Sequence, residues 1–199
     1  FQPSSSNFSP ELPSKKSKKT KVKKSVSDPH KKMSQDYLEG LLEPFGKVTT
    51  NYKLEAELKE IDFLFEPDSS KPNPELSLGL LGKIAQKNCM IESFLIPPSD
   101  LEFKSSWLKL LAHHEAATMK GKQIKKIPTE EELSFLWTLT PTLSQEIIEG
   151  FKASNESKYG QGVYLLGEGF KAGFVAIHEL PETAETLWLR LLGQGETHK

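Results

Sequence analysis

The segment CMIESFLIPPSDLE, residues 89–102, restricts the possible folds most strongly, because it joins a strand directly to the start of a helix. Its first part is apolar on both faces apart from Glu92 and one serine, which is typical of a buried strand, and two prolines end it. Ser99 and Glu102 then have the spacing of a capping box, which marks a helix N-terminus. One face of that helix continues at Phe103, Trp107, Leu110, Leu111 and His114. A buried strand followed by an amphipathic helix predicts a sheet with helices packed on it.

Further helix and strand patterns extend this arrangement over most of the chain. Helices are predicted over 34–46, 143–151 and 184–193, and strands over 47–56, 57–67, 89–98, 135–141, 162–168 and 174–180. A weaker helix is predicted over 78–88, where Gly79 and Gly82 lower the helix propensity. This order predicts an α/β fold with a mixed central sheet flanked by helices, made of an αβββαβ core and a C-terminal αββα extension.

The N-terminal part differs from the rest in composition and charge. Residues 1–33 contain nine lysines and two acids, a net charge of +7, and consist largely of Ser, Pro and Lys with little to bury. The remaining residues contain 17 basic and 25 acidic side chains, a net charge of −8. We therefore expect a disordered basic arm over 1–33 and a single α/β domain over 34–199.

The lysine run at 15–24 predicts attraction to the phosphates of DNA or RNA, with a strong dependence on salt. Of the 26 basic residues in the chain, Arg190 is the only arginine. Because lysine acts as a point charge and arginine as a bidentate fork, the contacts expected of this chain are generic polyanion contacts.

Cysteine usage and hydropathy bear on the compartment of the protein. Cys89 is the only cysteine, so no intrachain disulfide can form, and its apolar neighbours predict a buried, inert thiol. No apolar stretch approaches the roughly 18 residues that a membrane-spanning helix requires. We expect a cytoplasmic protein with no membrane partner.

Two acids lie within consecutive predicted strands, Asp62 in EIDFLFEP and Glu92 in CMIESF. A carboxylate in a central strand has a large desolvation cost unless it meets a cation or a hydrogen-bond donor, so two of them on neighbouring strands suggest a shared cation. Two alternatives stay open for Asp62, which are exposure at the edge of the sheet and an ion pair with a nearby lysine such as Lys53 or Lys59. For Glu92, the apolar neighbours favour a paired or metal-binding role.

The order of helix, three strands, helix and strand, with an acid on the second strand and another on the third, resembles the core of PD-(D/E)XK nucleases, the restriction-endonuclease-like fold. The resemblance implies that Asp62 and Glu92 hold Mg²⁺ or Mn²⁺, with Glu39 or Glu43 on the first helix as a further ligand. In such proteins the cation activates a water for attack on a phosphodiester.

The third strand departs from the pattern of this family, which has a lysine two residues after the acid, or a glutamine in the recombination-promoting nuclease branch. Phe94 occupies that position here. Some members of the family have the lysine on the following helix, and in this chain Lys104 or Lys109 matches that placement. The resemblance therefore implies Lys104 or Lys109 as the catalytic lysine.

Longer stretches of the chain resemble a family of uncharacterised cyanobacterial proteins with a remote similarity to these nucleases. The resemblance covers residues 34–197 and is carried by LGLLGKIAQKNCMIESFLIPPSDLE, SFLWTLTP and ELPETAETLWLRLLGQG. Two hypotheses for the function follow. The first is a nuclease-like domain, intact or catalytically degenerate, with a divalent-metal site acting on or binding nucleic acid. The second is a non-catalytic binding or scaffold protein that has the fold and contacts an acidic partner through its lysine-rich arm.

Overall fold

A computed structural model describes residues 60–155 and 158–194 of the chain. These residues belong to one compact unit, Glu57–Lys199. The predictions of a disordered arm over 1–33, of the first helix and first strand, and of a domain that begins at residue 34 concern residues outside the described part.

In the described part of the chain, six strands form one mixed sheet, which confirms the predicted α/β class with a mixed central sheet flanked by helices. The strands are β1 (Phe63–Phe65), β2 (Cys89–Ser93), β3 (Phe135–Thr140), β4 (Ser154–Asn155), β5 (Val163–Leu165) and β6 (Ala172–Ala176). Their order across the sheet is β1-β2-β3-β6-β5-β4. The three central strands β2, β3 and β6 are parallel, and β1, β5 and β4 pair antiparallel to their neighbours.

The helices are α1 (Glu75–Leu78), α2 (Leu80–Ile84), α3 (Asp100–Gln123), α4 (Gln145–Gly150) and α5 (Leu187–Gln194). The predicted capping box begins α3, since the Ser99 side chain accepts from the backbone of Glu102 and the Glu102 side chain accepts from the backbone of Ser99. Gly79 separates α1 from α2 at a φ of +54°. Because such a backbone conformation is strained for residues with a Cβ, Gly79 permits the break between the two helices, and the weak helix predicted over 78–88 forms only over Leu80–Ile84.

Helices cover both faces of the sheet. The α3 face, as we call the face that α3 covers, includes the buried residues Met90, Phe103, Leu110, Leu136, Ile147 and Phe174. The opposite face is covered by α2 and α5 and includes Leu80, Ile84, Cys89, Trp137, Val175 and Leu189. Consecutive residues of β2, Cys89 and Met90, thus lie on opposite faces, as the alternation of a strand requires.

The strand predicted over 57–67 is much shorter in the structure. Within the described residues it forms only over Phe63–Phe65, and the chain bends at Asp62. Ile61 packs against the α3-face cluster, whereas Phe65 packs against the opposite cluster. In a continuous strand these two residues would share a face, so the bend at Asp62 interrupts the predicted alternation.

The C-terminal extension contains one strand more than predicted. β4 has two residues, which is too short to show a period of two in the sequence. The strand predicted over 174–180 ends at Ala176, and the 3₁₀ turn Ile177–Glu179 follows it. The observed extension is therefore αβββα within the described residues, where the sequence predicts αββα.

Candidate ion-pair and cation site

Glu92 is a buried acid in the middle of the sheet. It lies two residues after Met90 on β2 and therefore projects from the α3 face, and only 3% of its surface is exposed. The Nζ atom of Lys109 on α3 donates to both carboxylate oxygens, at 2.8 Å to Oε1 and 3.0 Å to Oε2. The lysine side chain is itself only 14% exposed. The pair is thus a largely desolvated ion pair between the sheet and the helix that covers it.

The packing of α3 explains why Lys109 reaches this acid. The side of α3 that faces the sheet buries Phe103, Ser106 and Leu110. Lys109 is adjacent to Leu110 and three residues after Ser106, so it borders the buried side of the helix and its long side chain extends under the helix to β2. The structure thus brings together Glu92 and one of the two lysines that the sequence singles out.

The other lysine, Lys104, is not brought to Glu92. Its Nζ lies 3.9 Å from a carboxylate oxygen of Asp100 and 5.8 Å from the ring centre of Phe151, and its side chain is exposed. Five residues separate Lys104 from Lys109, which at 3.6 residues per turn directs the two side chains roughly 140° apart around the helix axis. Only Lys109 can therefore share a buried site with Glu92.

Asp62 lies close to Glu92 in the strand register but in a different environment. Phe63 pairs with Ile91 across the antiparallel β1 and β2, so one further step of this register would set Asp62 opposite Glu92. The chain bends at Asp62, and its side chain is exposed whereas that of Glu92 is buried. Glu39, the third acid that the family resemblance implies as a ligand, lies outside the described residues, as do the alternative Glu43 and the lysines proposed as partners of Asp62.

A buried hydroxyl that the sequence analysis does not single out lies beside this pair. Thr138 on β3 is the register partner of Glu92 and projects from the same face of the sheet. It is fully buried, and its Oγ1 has no hydrogen-bond partner among the described residues. The sequence feature that could have indicated this hydroxyl is FLWTLT, where two threonines alternate with apolar residues in an otherwise apolar strand.

The oxygens at this site are those that a hard divalent cation prefers. Mg²⁺ is commonly bound through one or two carboxylates and retains several waters, so a site does not require three acidic side chains. Among residues 60–155 and 158–194, no group of three or more His, Cys, Asp or Glu side chains could hold a metal ion. Glu92 and Thr138 offer oxygens of this kind, and in this structure both Glu92 oxygens accept from Lys109.

Several titratable groups outside this pair have perturbed pKa values. Burial raises the pKa of the Cys89 thiol to about 11, and this side chain is on the opposite face of the sheet. The Tyr164 hydroxyl donates to Glu179 at 2.5 Å, which with partial burial raises the tyrosine pKa to about 12. Desolvation lowers the pKa of His114, whose Nε2 lies 2.8 Å from the Ser134 carbonyl oxygen.

No family model, curated protein or solved structure matches the chain. Within the described part of the chain, no helix is both long enough and apolar enough to cross a membrane. The fold and the site thus define a mixed α/β domain with a buried glutamate and lysine pair between its sheet and its longest helix.

Proposed function

We propose that the chain is a PD-(D/E)XK nuclease-like domain that binds a divalent cation at Glu92 and acts on the phosphodiester backbone of nucleic acid. The observation that carries this proposal is the contact of Lys109 with both oxygens of the buried Glu92 carboxylate. A lysine on the helix after the third core strand is one of the family's alternatives to a lysine on the strand itself. The acid and the lysine of the expected motif are then both present at one site, although Phe94 occupies the usual lysine position.

The topology of the described part supports the same proposal. The strands β1, β2 and β3 and the helix α3 occur in the order that the αβββαβ core implies, with the short helices α1 and α2 between β1 and β2. β1 and β2 are antiparallel, and Asp62 precedes β1 at the point where the register approaches Glu92. Of the two acids expected to bind the cation, one therefore immediately precedes β1 and the other lies on its neighbour β2.

Each residue of the site has a distinct role in this proposal. Glu92 would hold the cation through a carboxylate oxygen, and Asp62 would supply a second oxygen at the solvent-exposed side. The cation, when bound, supplies Lewis-acid stabilisation of the phosphoryl oxygens and a water of lowered pKa. Lys109 places a fixed positive charge beside the reacting phosphate, where it stabilises negative charge that develops in the transition state.

The test is hydrolysis of single-stranded and double-stranded DNA and RNA by the purified full chain with Mg²⁺ or Mn²⁺. Glu92→Gln retains the shape of the side chain and removes its charge, and we expect it to abolish hydrolysis. Lys109→Met is expected to lower the rate at least about 100-fold, in the range found for groups that act directly on the reacting atoms. Circular dichroism of each variant establishes that it is folded.

Glu66→Gln is the matched control, because Glu66 is an exposed acid just after β1 that undergoes the same chemical change. It should hydrolyse nucleic acid at the rate of the unmodified chain. A folded Glu92→Gln variant with undiminished hydrolysis would overturn the assignment of the site, since it would show that the activity resides elsewhere or in a contaminant.

A second candidate function is a non-catalytic binding or scaffold domain. One observation favours it, namely that Lys109 alone satisfies both oxygens of Glu92, so that the pair is complete without a cation. In this case the pair has only a structural role, and the basic run at 15–24 contacts an acidic partner. Absence of hydrolysis by the unmodified chain on all four substrates, with either cation, would favour this function over the first.

Under the first function, we propose that the lysine-rich arm of this cytoplasmic protein binds nucleic acid. A chain lacking residues 1–33 should lose most of its salt-sensitive affinity for DNA, because the arm holds nine of the lysines and a net charge of +7. Fluorescence anisotropy with labelled DNA over a range of salt concentrations measures this. Equal affinity and an equal salt dependence in the truncated chain would exclude the arm as a DNA-binding segment.

A further inference from the structure

A cavity of about 380 Å³ lies beside α3. Three segments of the chain enclose it, which are the N-terminal half of α3, Phe151 just after α4, and residues between Leu166 and Phe170 after β5. Ligand pockets in proteins commonly have volumes of roughly 300–1,000 Å³, with mostly apolar walls and a few polar groups that orient the ligand. The cavity therefore has the size of a small-molecule site.

The floor and one wall of the cavity are aromatic. Phe103 is buried, and its ring meets the ring of Phe151 edge-on with centroids 4.7 Å apart. The ring centroids of Trp107 and Phe170 are 5.2 Å apart, and the Trp107 indole N–H donates to the Phe170 carbonyl oxygen at 3.1 Å. Because this bond uses the polar atom of the indole, the ring presents apolar surface to a ligand.

The cavity opens to solvent, since three apolar residues that line it, Leu108, Leu111 and Phe170, are exposed. Single exposed apolar side chains are ordinary on protein surfaces, whereas a group of them around one concave site is typical of an interaction site. A ligand that removes this surface from water is favoured by the hydrophobic effect.

The lining also contains a positive charge. Among the described residues that line the cavity, Lys104 is the one charged residue. Its Nζ lies 5.8 Å from the ring centre of Phe151, so the ammonium group is at the margin of the aromatic surface. Asp100 is 3.9 Å away and both side chains are more than half exposed, which makes this ion pair weak. An anionic group of a ligand can therefore compete for Lys104.

We propose that this cavity binds a small apolar molecule with one anionic group, of the class of medium-chain carboxylates, with its carboxylate at Lys104 and its alkyl chain against the aromatic rings. A water molecule occupies about 30 Å³ in the liquid, so the cavity has room for roughly a dozen non-hydrogen atoms, the size of octanoate or decanoate. The inference is independent of the proposed function, because Lys104 and Lys109 point to different sides of α3.

The experiment is calorimetric titration of the full chain with octanoate, 1-octanol and octylammonium, which share an alkyl chain and differ in charge. Octanoate should bind at least about fivefold more tightly than octylammonium, because Lys104 attracts one head group and repels the other. Lys104→Met should weaken octanoate binding by about fivefold, the upper end for an exposed ion pair, and leave 1-octanol binding unchanged.

A second variant tests the cavity itself. Leu111→Trp places a larger side chain at the cavity and should weaken the binding of octanoate and of 1-octanol by at least about tenfold, through loss of buried apolar area. Leu101→Trp is the matched control, because Leu101 is an exposed leucine of the same helix that does not line the cavity. It should bind both molecules like the unmodified chain. Circular dichroism of each variant establishes that it is folded.

The outcomes separate the parts of the proposal. Equal affinity for octanoate and octylammonium, or octanoate binding unaffected by Lys104→Met, would overturn the anionic class of the ligand. Undiminished octanoate binding by folded Leu111→Trp would overturn the cavity as the site, and absence of octanoate binding to the unmodified chain would overturn the whole proposal. Sedimentation velocity without ligand should be the same for the unmodified chain and Leu111→Trp. A dimer that Leu111→Trp dissociates would show that a second copy covers the cavity, and would equally overturn the proposal.

Discussion

The contact between Glu92 and Lys109 makes a quantitative prediction about stability. Lys109→Met removes the one cation, among the described residues, that contacts a carboxylate whose side chain is 4% exposed, so water cannot replace the lost partner. Loss of one partner of a buried ion pair costs about 3–5 kcal/mol. Because Lys109 is 14% exposed at the margin of the site, we expect the lower end of that range, about 3 kcal/mol.

The double variant Glu92→Met with Lys109→Met tests the physical reason for this cost. It removes both charges and leaves side chains of similar length, so its stability should return to within about 1 kcal/mol of the unmodified chain. Lys104→Met is the control on the same helix. Its partner Asp100 is 3.9 Å away and both side chains are more than half exposed, so the change should stay below about 0.5 kcal/mol.

Urea unfolding followed by tryptophan fluorescence measures these differences as shifts of the midpoint at a constant slope. A Lys109→Met variant that loses less than about 1 kcal/mol would refute the reasoning, because the carboxylate would then be well solvated without its partner. A double variant as unstable as the sum of the two single variants would refute it equally, since it would show no coupling between the two charges.

Three further predictions concern other parts of the fold. Desolvation lowers the pKa of His114 below 6.5, so the unfolded chain binds the proton more readily than the folded chain does. Stability should therefore fall as the pH drops below about 6.5. Urea titrations from pH 7.5 to 5 should show a smaller loss of stability in His114→Gln than in the unmodified chain. Cys89 is the only cysteine of the chain, and burial raises the pKa of its thiol to about 11. It should therefore react with a thiol reagent at pH 8 only after unfolding. Rapid labelling of the native protein would contradict the burial of this side chain. Gly79→Ala should lower the free energy of unfolding by more than about 1 kcal/mol, because the φ of Gly79 is +54° and a Cβ there would overlap the Glu185 carbonyl oxygen. Gly150→Ala is the control, and it should leave stability unchanged in the same urea assay because the space around Gly150 is open.

Local patterns account for the elements that the sequence predicts well. The start of α3 depends on Ser99 and Glu102, three residues apart, which bond each other's backbone, so the capping box is visible without any tertiary information. The central strands β2 and β3 were similarly predictable because most of their side chains are apolar, with Glu92 and Ser93 on β2 and two threonines on β3 as the exceptions. β4 and the bend at Asp62 were not predictable, since a two-residue strand and a single bend leave no periodic pattern.

The sequence by itself determined that an acid would stand in a buried strand and that a lysine would lie on the helix that follows it. Which lysine meets Glu92 depended on the rotation of α3 about its own axis, and that rotation is set by the packing of Phe103 and Leu110 against the sheet. The tertiary structure also decided that Thr138 lies beside the same carboxylate, because strand register joins residues that are 46 positions apart. Strand register and helix rotation depend on contacts between residues that are far apart in the sequence. The partner of a buried charge is therefore determined only by the tertiary packing.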